Sequence, residues 1–238
     1  WFSPLLEHGA AGLDPRLTAR PKEPTTPVPV GTTELSMELG GGGFLYVPTS
    51  YSEETPSPLF VALHGGGGFA GFWRRFYEAC EEHGIVMLAP EARARTWDGV
   101  HGMMGPDVRF IDDALRYTFD RCRIDVSKIA LIGFSDGASY ALSLGPSNGD
   151  LFTHLIAFSP GFSTPEDPIV GSPRVFVSHG RGDRSLPVAM SRDAIVPMFV
   201  MDGYQTRYEE FDGGHEMPAE VVEGALDWFL APGPDSGS

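Results

Sequence analysis

From Leu59 onward, short apolar runs alternate with longer amphipathic stretches. The apolar runs include LFVALHG, IVMLAPEA and KIALIGFS, and they are separated by FWRRFYEACEEHG, which Gly84 ends, and by DVRFIDDALRYTFDRC. The apolar runs predict buried strands and the amphipathic stretches predict helices. Strands that are apolar along their whole length and alternate with helices indicate a mainly parallel sheet covered by helices on both faces.

The same alternation continues to the last helix. An antiparallel hairpin is predicted before the alternating region begins. TTELSMEL and GFLYVPTSY predict the hairpin, and HLIAFSP, RVFVSHG and TRYEEFDG predict three more strands. Helices are predicted over residues 137–144, near residues 190–202 and in PAEVVEGALDWFL. The fold class is therefore α/β, with a central sheet of about eight strands.

Composition divides the chain into three parts. Residues 1–31 contain six prolines, which predict an extended arm rather than a domain. Residues 32–231 form the predicted single domain, and residues 232–238 a flexible tail. Within the domain, GFSTPEDPIVGSPR is a short loop without an amphipathic helix, so we expect no cap domain and an open site.

A serine lies between two glycines where one predicted strand ends. Gly133-Phe134-Ser135-Asp136-Gly137 fits the nucleophile-elbow pattern G-x-S-x-G, with an apolar strand before it and a small-residue helix start after it. The turn strains the serine, so the residues two positions away must be small. We predict that Ser135 is a nucleophile. An ordinary turn is the alternative, because a chain with 30 glycines produces this spacing by chance.

A serine nucleophile needs a base that an acid orients. Asp183 follows the apolar strand of VFVSHGRGD, and His215 lies in the glycine-rich loop of EEFDGGHEMP. Both lie at carboxyl ends of predicted strands, where the catalytic loops of a parallel sheet lie. We predict Asp183 as the acid and His215 as the base. The alternatives are a turn aspartate, a helix-entry histidine, and Asp212 as a competing acid on the same loop as His215.

LHGGGG, residues 63–68, follows another buried strand. It matches the histidine-glycine loop whose backbone N–H helps to form an oxyanion hole. We predict that the N–H groups of Gly66 and Asp136 form this hole. The loop has no G-K-[ST] ending, and no G-x-G-x-x-G opens a helix after a strand, so nucleotide binding is not expected.

The loop ARTWDGVHGMMGPD follows a predicted strand and should reach the rim of the same site. Four side chains are candidates for contact with a substrate: Phe69, Trp97, Met103 and Met104. Packing of the loop itself is the alternative. The histidines lack metal-ligand spacing and no H-E-x-x-H or C-x-x-C occurs, so we expect no metal and no cofactor.

Charge limits the partners. The 238 residues include 32 acidic and 17 basic side chains, a formal net charge of −15. Such a surface repels phosphate backbones and anionic headgroups, so we expect neither nucleic acid nor membrane as a partner. No apolar run approaches the roughly 20 residues of a spanning helix, so we expect a soluble protein. Two cysteines, Cys80 and Cys122, define no disulfide framework, and the compartment stays open, with cytoplasm preferred to secretion.

These motifs resemble those of α/β-hydrolase-fold serine esterases, in particular the bacterial phospholipase/carboxylesterase and dienelactone-hydrolase-like group. The resemblance is carried by LHGGGG, GFSDGASYALSLG, SHGRGD and GGHEMP, and does not include the arm. It implies the α/β-hydrolase fold and a triad of Ser135, Asp183 and His215. Asp136 departs from the pattern, because relatives more often carry an uncharged residue there.

The expected activity is that of a serine carboxylesterase. We expect it to hydrolyse small short-chain or aryl carboxylic esters, or exposed ester bonds of a polymer, through an acyl-enzyme. An amide- or peptide-directed hydrolase, an acyltransferase and a non-catalytic ligand-binding protein are the alternatives. Peptidases of this type usually add a propeller or cap domain, and the presence of all three triad candidates argues against a silent binding protein. The oligomeric state is not predicted.

Overall fold

The computed structural model describes residues 14–35, 41–101 and 104–232, and the strands within these ranges form one eight-stranded sheet. The strands are β1 (Gly31–Glu34), β2 (Gly43–Val47), β3 (Ser57–Leu63), β4 (Val86–Pro90), β5 (Ile124–Phe134), β6 (His154–Phe158), β7 (Arg174–Gly180) and β8 (Thr206–Phe211). Their order is β1-β2-β4-β3-β5-β6-β7-β8. The pairs β1–β2 and β2–β4 are antiparallel and the others parallel, which confirms the predicted hairpin and the mainly parallel sheet.

Helices cover both faces of this sheet, as predicted. The α-helices are α1 (Tyr77–His83), α2 (Pro106–Phe119), α3 (Asp136–Leu144), α4 (Val196–Met201) and α5 (Ala219–Leu230). Successive residues of a strand point to opposite faces. In β3, Val61 therefore joins the apolar cluster under α2 and α3, whereas Phe60 and Ala62 join the cluster under α1 and α5.

The stretch FWRRFYEACEEHG differs from the single helix that its pattern predicts. Residues Ala70–Phe76 form a 3₁₀-helix, and only α1 after it is α-helical. The buried side chains of the first part are Ala70, Trp73 and Phe76, and this spacing of three is the repeat of a 3₁₀-helix. The helical stretch ends where predicted, because Gly84 has a φ of 64°, a left-handed conformation that glycine adopts readily.

The segment between Phe158 and Arg174 contains no helix, and all of its residues are described. A cap domain inserted at this point is therefore absent from the fold. The carboxyl ends of β5, β6 and β7 are left uncovered by any helix from this segment, as the sequence predicts.

Part of the proline-rich segment packs on the domain. Leu17 and Ala19 are buried. The Leu17 N–H donates to Asn148 Oδ1 at 2.7 Å, and the Ala19 N–H donates to Asp112 Oδ1 at 2.7 Å. The division into arm, domain and tail at residues 31/32 and 231/232 stays a proposal. The first 13 residues and the last six lie outside the described chain.

Candidate active site

Ser135 lies at the turn between β5 and α3, at the carboxyl edge of the sheet. Its φ is 57° and its ψ is −121°, a conformation that strains an L-residue by about 1–3 kcal/mol. The flanking glycines make the turn possible, because a Cβ at Gly133 would overlap the carbonyl of Gly137, and a Cβ at Gly137 would overlap the carbonyl of Leu63. The Ser135 N–H donates to the Phe158 carbonyl at 2.9 Å, which ties the turn to β6.

Asp183 follows β7 and His215 follows β8, so two neighbouring strands deliver them to the same edge. His215 Nδ1–H donates to Asp183 Oδ2 at 2.6 Å, and Asp183 Oδ1 accepts from the N–H groups of Ser185 and Leu186 at 2.8 and 2.9 Å. The Asp183 side chain is 0% exposed and that of His215 is 21% exposed. Burial alone would raise the pKa of the Asp183 carboxyl, but these three hydrogen bonds outweigh it and hold the pKa below its ordinary value.

The competing acid Asp212 faces solvent. Its side chain is 92% exposed and pairs with Arg181 Nη1 at 2.7 Å. His215 has its short carboxylate contact with Asp183 instead. The geometry therefore favours Asp183 over Asp212 as the partner of this histidine.

An aromatic row lies next to the nucleophile turn. Phe134, the residue before Ser135, has its ring centroid 4.8 Å from that of His215, and it stacks on Phe72 at 5.3 Å. The Arg75 guanidinium lies 4.0 Å from the Phe72 centroid. The row packs against the His215 ring. Sequence reasoning missed it, and its only signal is an aromatic residue at the second position of the G-x-S-x-G pattern.

The glycine loop after β3 packs against the nucleophile turn. A Cβ at Gly65 would lie 3.2 Å from that of Ser135, and a Cβ at Gly66 would overlap the Asp136 carboxylate. Thr96 Oγ1 donates to the same carboxylate at 2.7 Å. The missing side chains at these positions therefore allow the loop to approach the turn this closely.

Two backbone N–H groups at this contact have no acceptor among the residues that the structure describes. Gly67 and Gly68 donate their N–H groups to nearby carbonyl oxygens, at 2.6 and 2.9 Å. Among the described residues, by contrast, nothing accepts from the N–H of Gly66 or of Asp136. Asp136 is the first residue of α3, where helix N–H groups lack intrahelical partners. Both groups are thus available to an oxygen bound beside the serine.

His64 holds the start of the glycine loop. The ring is buried, its Nε2 accepts from the Ala92 N–H at 3.0 Å, and its Nδ1–H donates to the Gly65 carbonyl at 2.8 Å. The ring proton lies on Nδ1, because the Ala92 N–H can only donate. The His64 carbonyl accepts from Trp97 Nε1 at 2.8 Å. His64 thus joins the glycine loop to the chain that follows β4.

The candidate substrate-binding side chains fall into different environments. Trp97 is 0% exposed and packs on His64 and Tyr140, with ring centroids 5.1 and 5.4 Å apart, and Met104 belongs to the same core. Both side chains therefore fit the alternative interpretation, packing of the loop itself. Neither is exposed enough to line a substrate pocket. Met103 lies outside the described residues. Phe69 is 63% exposed, just before the 3₁₀-helix that follows the glycine loop.

The described part of the chain contains no group of three His, Cys, Asp or Glu side chains placed to hold a metal ion. No helix within it is long and apolar enough to cross a membrane.

A cleft of about 410 Å³ lies between the segment after β6 and α4, and Pro146, Ile169, Met198 and Tyr204 are among its lining residues. Ser135 and its neighbours do not line this cleft.

Comparisons with known proteins give the fold. No protein-family model matches the chain. Feruloyl esterase B of Thermothelomyces thermophilus is 29% identical over 120 residues, which are 46% of this chain and 40% of that protein. The chain therefore spans less than half the length of that curated relative.

Two solved structures superpose on most of the chain. Esterase PE8 has a TM-score of 0.64 and 21% identity, over 84% of this chain and 98% of its own. FphF, a fluorophosphonate-binding serine hydrolase of Staphylococcus aureus, has a TM-score of 0.67 and 14% identity, over 87% of this chain and 100% of its own. The chain has the α/β-hydrolase fold, which confirms the predicted fold class.

Proposed function

We propose that the protein is a serine carboxylesterase. One observation carries the proposal: a strained serine, a histidine bonded to a buried carboxylate at 2.6 Å, and two N–H groups that no described residue accepts from lie at one edge of the sheet. These are the parts that acyl transfer requires. Esterases and a serine hydrolase among the similar proteins support the same activity.

The proposed mechanism assigns one role to each group. Ser135 Oγ attacks the ester carbonyl carbon, and His215 Nε2 accepts its proton while Asp183 holds the Nδ1–H and stabilises the imidazolium. The N–H groups of Gly66 and Asp136 bind the oxyanion, and a donor of this kind is worth about 2.7–4 kcal/mol. His215 then returns the proton to the leaving alcohol, and a water molecule that it activates hydrolyses the acyl-enzyme.

Short-chain or aryl carboxylic esters are the proposed substrates. With no cap between β6 and β7, the nucleophile is open to small esters and to ester bonds exposed on a polymer. Phe69 offers an exposed aromatic face next to the glycine loop, which suits contact with an aryl group. The weak similarity to a feruloyl esterase supports the aryl class.

Hydrolysis of p-nitrophenyl esters from acetate to palmitate tests the proposal. We expect the wild type to hydrolyse the short esters fastest and Ser135→Ala to be at background. Ser127→Ala is the matched control, because Ser127 lies on the same strand, is exposed, and only bonds Asp125 at 2.7 Å. Equal activity in the wild type and Ser135→Ala would overturn the assignment.

A fluorophosphonate probe separates the alternatives. Labelling at Ser135 together with ester turnover is the expected result. Labelling without turnover of any ester would move the activity to amide hydrolysis or acyl transfer. Absence of labelling in the folded wild type would favour a non-catalytic binding protein.

A further inference from the structure

Resting on the proposed function, we infer that His179 is a positioning residue for the triad acid. His179 lies near the end of β7, four residues before Asp183, and is completely buried. Both of its ring nitrogens are engaged. Nε2 lies 2.8 Å from the Leu186 carbonyl, and Nδ1 lies 2.8 Å from Ser191 Oγ.

These contacts determine the proton on the ring. A carbonyl oxygen can only accept, so Nε2 carries the proton and donates to Leu186. In the neutral form of the ring, Nδ1 is then an acceptor, and the Ser191 hydroxyl donates to it. The Leu186 carbonyl thereby fixes the tautomer of His179, as partners of one ring nitrogen do for the other, and the Ser191 hydroxyl holds Nδ1.

The Leu186 peptide links this ring to the acid. The Leu186 N–H donates to Asp183 Oδ1 at 2.9 Å, and its carbonyl accepts from His179. His179 therefore holds the same residue that holds the carboxylate. In addition, His179 Nε2 lies 3.2 Å from Asp183 Oδ2, the oxygen that accepts from His215. The N–H edge of a second imidazole thus faces the triad carboxylate.

The same ring joins the acid loop to the next element of the fold. Ser191 opens a π-helical turn, Ser191–Ile195, that runs into α4. An apolar side chain in place of His179 would fill the space but leave a carbonyl and a hydroxyl buried without partners. The turn over residues 183–186 would then lose its tether, and a shift of 1 Å in a catalytic group lowers turnover by about 100-fold.

Three variants test the role: His179→Phe, His179→Gln and Ser191→Ala. The measurement is kcat and KM for p-nitrophenyl acetate, with thermal unfolding to show that each variant folds. We expect His179→Phe to lower kcat by about 10- to 100-fold with KM unchanged. Glutamine carries an N–H close to the position of Nε2–H, so His179→Gln should recover most of that loss. Ser191→Ala, which removes the hydroxyl that holds Nδ1 but keeps the ring, should lower kcat less than His179→Phe.

A structural role alone would give a different pattern. Wild-type kcat in folded His179→Phe, a loss confined to KM, or equal impairment of His179→Gln and His179→Phe would each overturn the inference. If His179→Phe does not fold, the other two variants decide. Unchanged kcat in Ser191→Ala together with full impairment of His179→Gln would then overturn it.

NMR supplies a readout that needs no substrate. The His215 Nδ1 proton in the 2.6 Å hydrogen bond to Asp183 should give a downfield, slowly exchanging signal in the wild type. We expect the signal to persist in His179→Gln and to weaken in His179→Phe, or in Ser191→Ala if the phenylalanine variant is unfolded. If the wild type is inactive but shows this NMR pattern, the esterase proposal is wrong and the positioning role stands. If the enzyme is active but the signal is unchanged in folded His179→Phe, the positioning role alone is wrong.

Discussion

Ser135 and Ser159 occupy similar places at the ends of neighbouring strands, yet their surroundings are opposite. Both are non-glycine residues with positive φ, 57° and 52°, and the N–H of each donates to the next strand, at 2.9 and 2.8 Å. Ser135 is partly exposed and begins a helix. Ser159 is completely buried, and its hydroxyl has no hydrogen-bond partner in the described chain.

The difference teaches that backbone strain alone does not mark a nucleophile. At both turns the strained residue continues the hydrogen bonding of the sheet beyond the end of its strand, and the strain is the local consequence. Ser135 differs in being partly exposed, in following Phe134, whose ring packs on that of His215, and in preceding a helix whose first N–H has no acceptor in the described chain.

Removing the two hydroxyl groups should give the largest contrast. Ser135→Ala should lower ester hydrolysis by about 10⁴-fold or more, because the proposed nucleophile is lost. Ser159→Ala should keep wild-type activity and equal or slightly higher stability, since a buried hydroxyl without a partner is removed. Initial rates with p-nitrophenyl acetate and thermal unfolding measure both. A comparable loss of activity in Ser159→Ala would break the comparison.

Removing the charge of Asp183 tests whether a histidine oriented by a carboxylate is what makes Ser135 reactive and Ser159 not. Asp183→Asn should lower kcat by about 10⁴-fold, because an amide favours the wrong tautomer of His215. Asp212→Asn is the matched control on the neighbouring loop, and among the described residues its exposed side chain bonds Arg181 alone. It should leave kcat unchanged. Rates at saturating ester decide, and a larger loss in Asp212→Asn would reverse the choice of acid.

Displacing one unused N–H tests the proposed oxyanion hole. In Gly66→Ala the new Cβ overlaps the Asp136 carboxylate, which Thr96 holds, so the loop or that side chain must shift. We expect kcat to fall by about 10²- to 10³-fold, the effect of losing one oxyanion donor. In an Asp136→Ala background the overlap is gone while the Asp136 position keeps its N–H, so Gly66→Ala should there cost much less. An equal loss in both backgrounds would contradict the steric explanation.

The fold was predictable because its signals are local. Strands such as LFVALHG are apolar throughout, which requires cover on both faces, and the elbow glycine at 133 is dictated by a backbone contact with Gly137, inside the elbow itself. The role of Trp97 was not predictable, because its burial depends on His64 and Tyr140, which are distant in sequence. The composition of the loop that carries Trp97 does not distinguish a loop at the rim of a site from one packed in the core.

The hydrogen bonds by which His179 holds the loop of Asp183 were not predictable for the same reason. His179 precedes Asp183 by four residues, but its contact with Ser191 depends on how the chain enters the π-helical turn. The sequence places a histidine at a strand end and no more. Its two hydrogen bonds follow from the tertiary structure.

The smallest expected effect is on stability and not on turnover. It concerns His154, the first residue of β6, the strand that ends just before Ser159. His154 is buried, which together with the charges of Arg174 and Lys128 lowers its pKa from 6.5 to about 3. Below pH 6.5 the unfolded chain binds a proton that the folded protein excludes until about pH 3, so stability falls as the pH drops through this window.

Glutamine does not titrate, so His154→Gln should flatten this decline. The difference in the free energy of unfolding between pH 7 and pH 4 should shrink by about 1–3 kcal/mol relative to the wild type. His83→Gln, at an exposed histidine, is the control and should keep the wild-type slope. Denaturant unfolding at each pH measures the effect. A slope in His154→Gln equal to that of the wild type would mean that the acid sensitivity arises elsewhere.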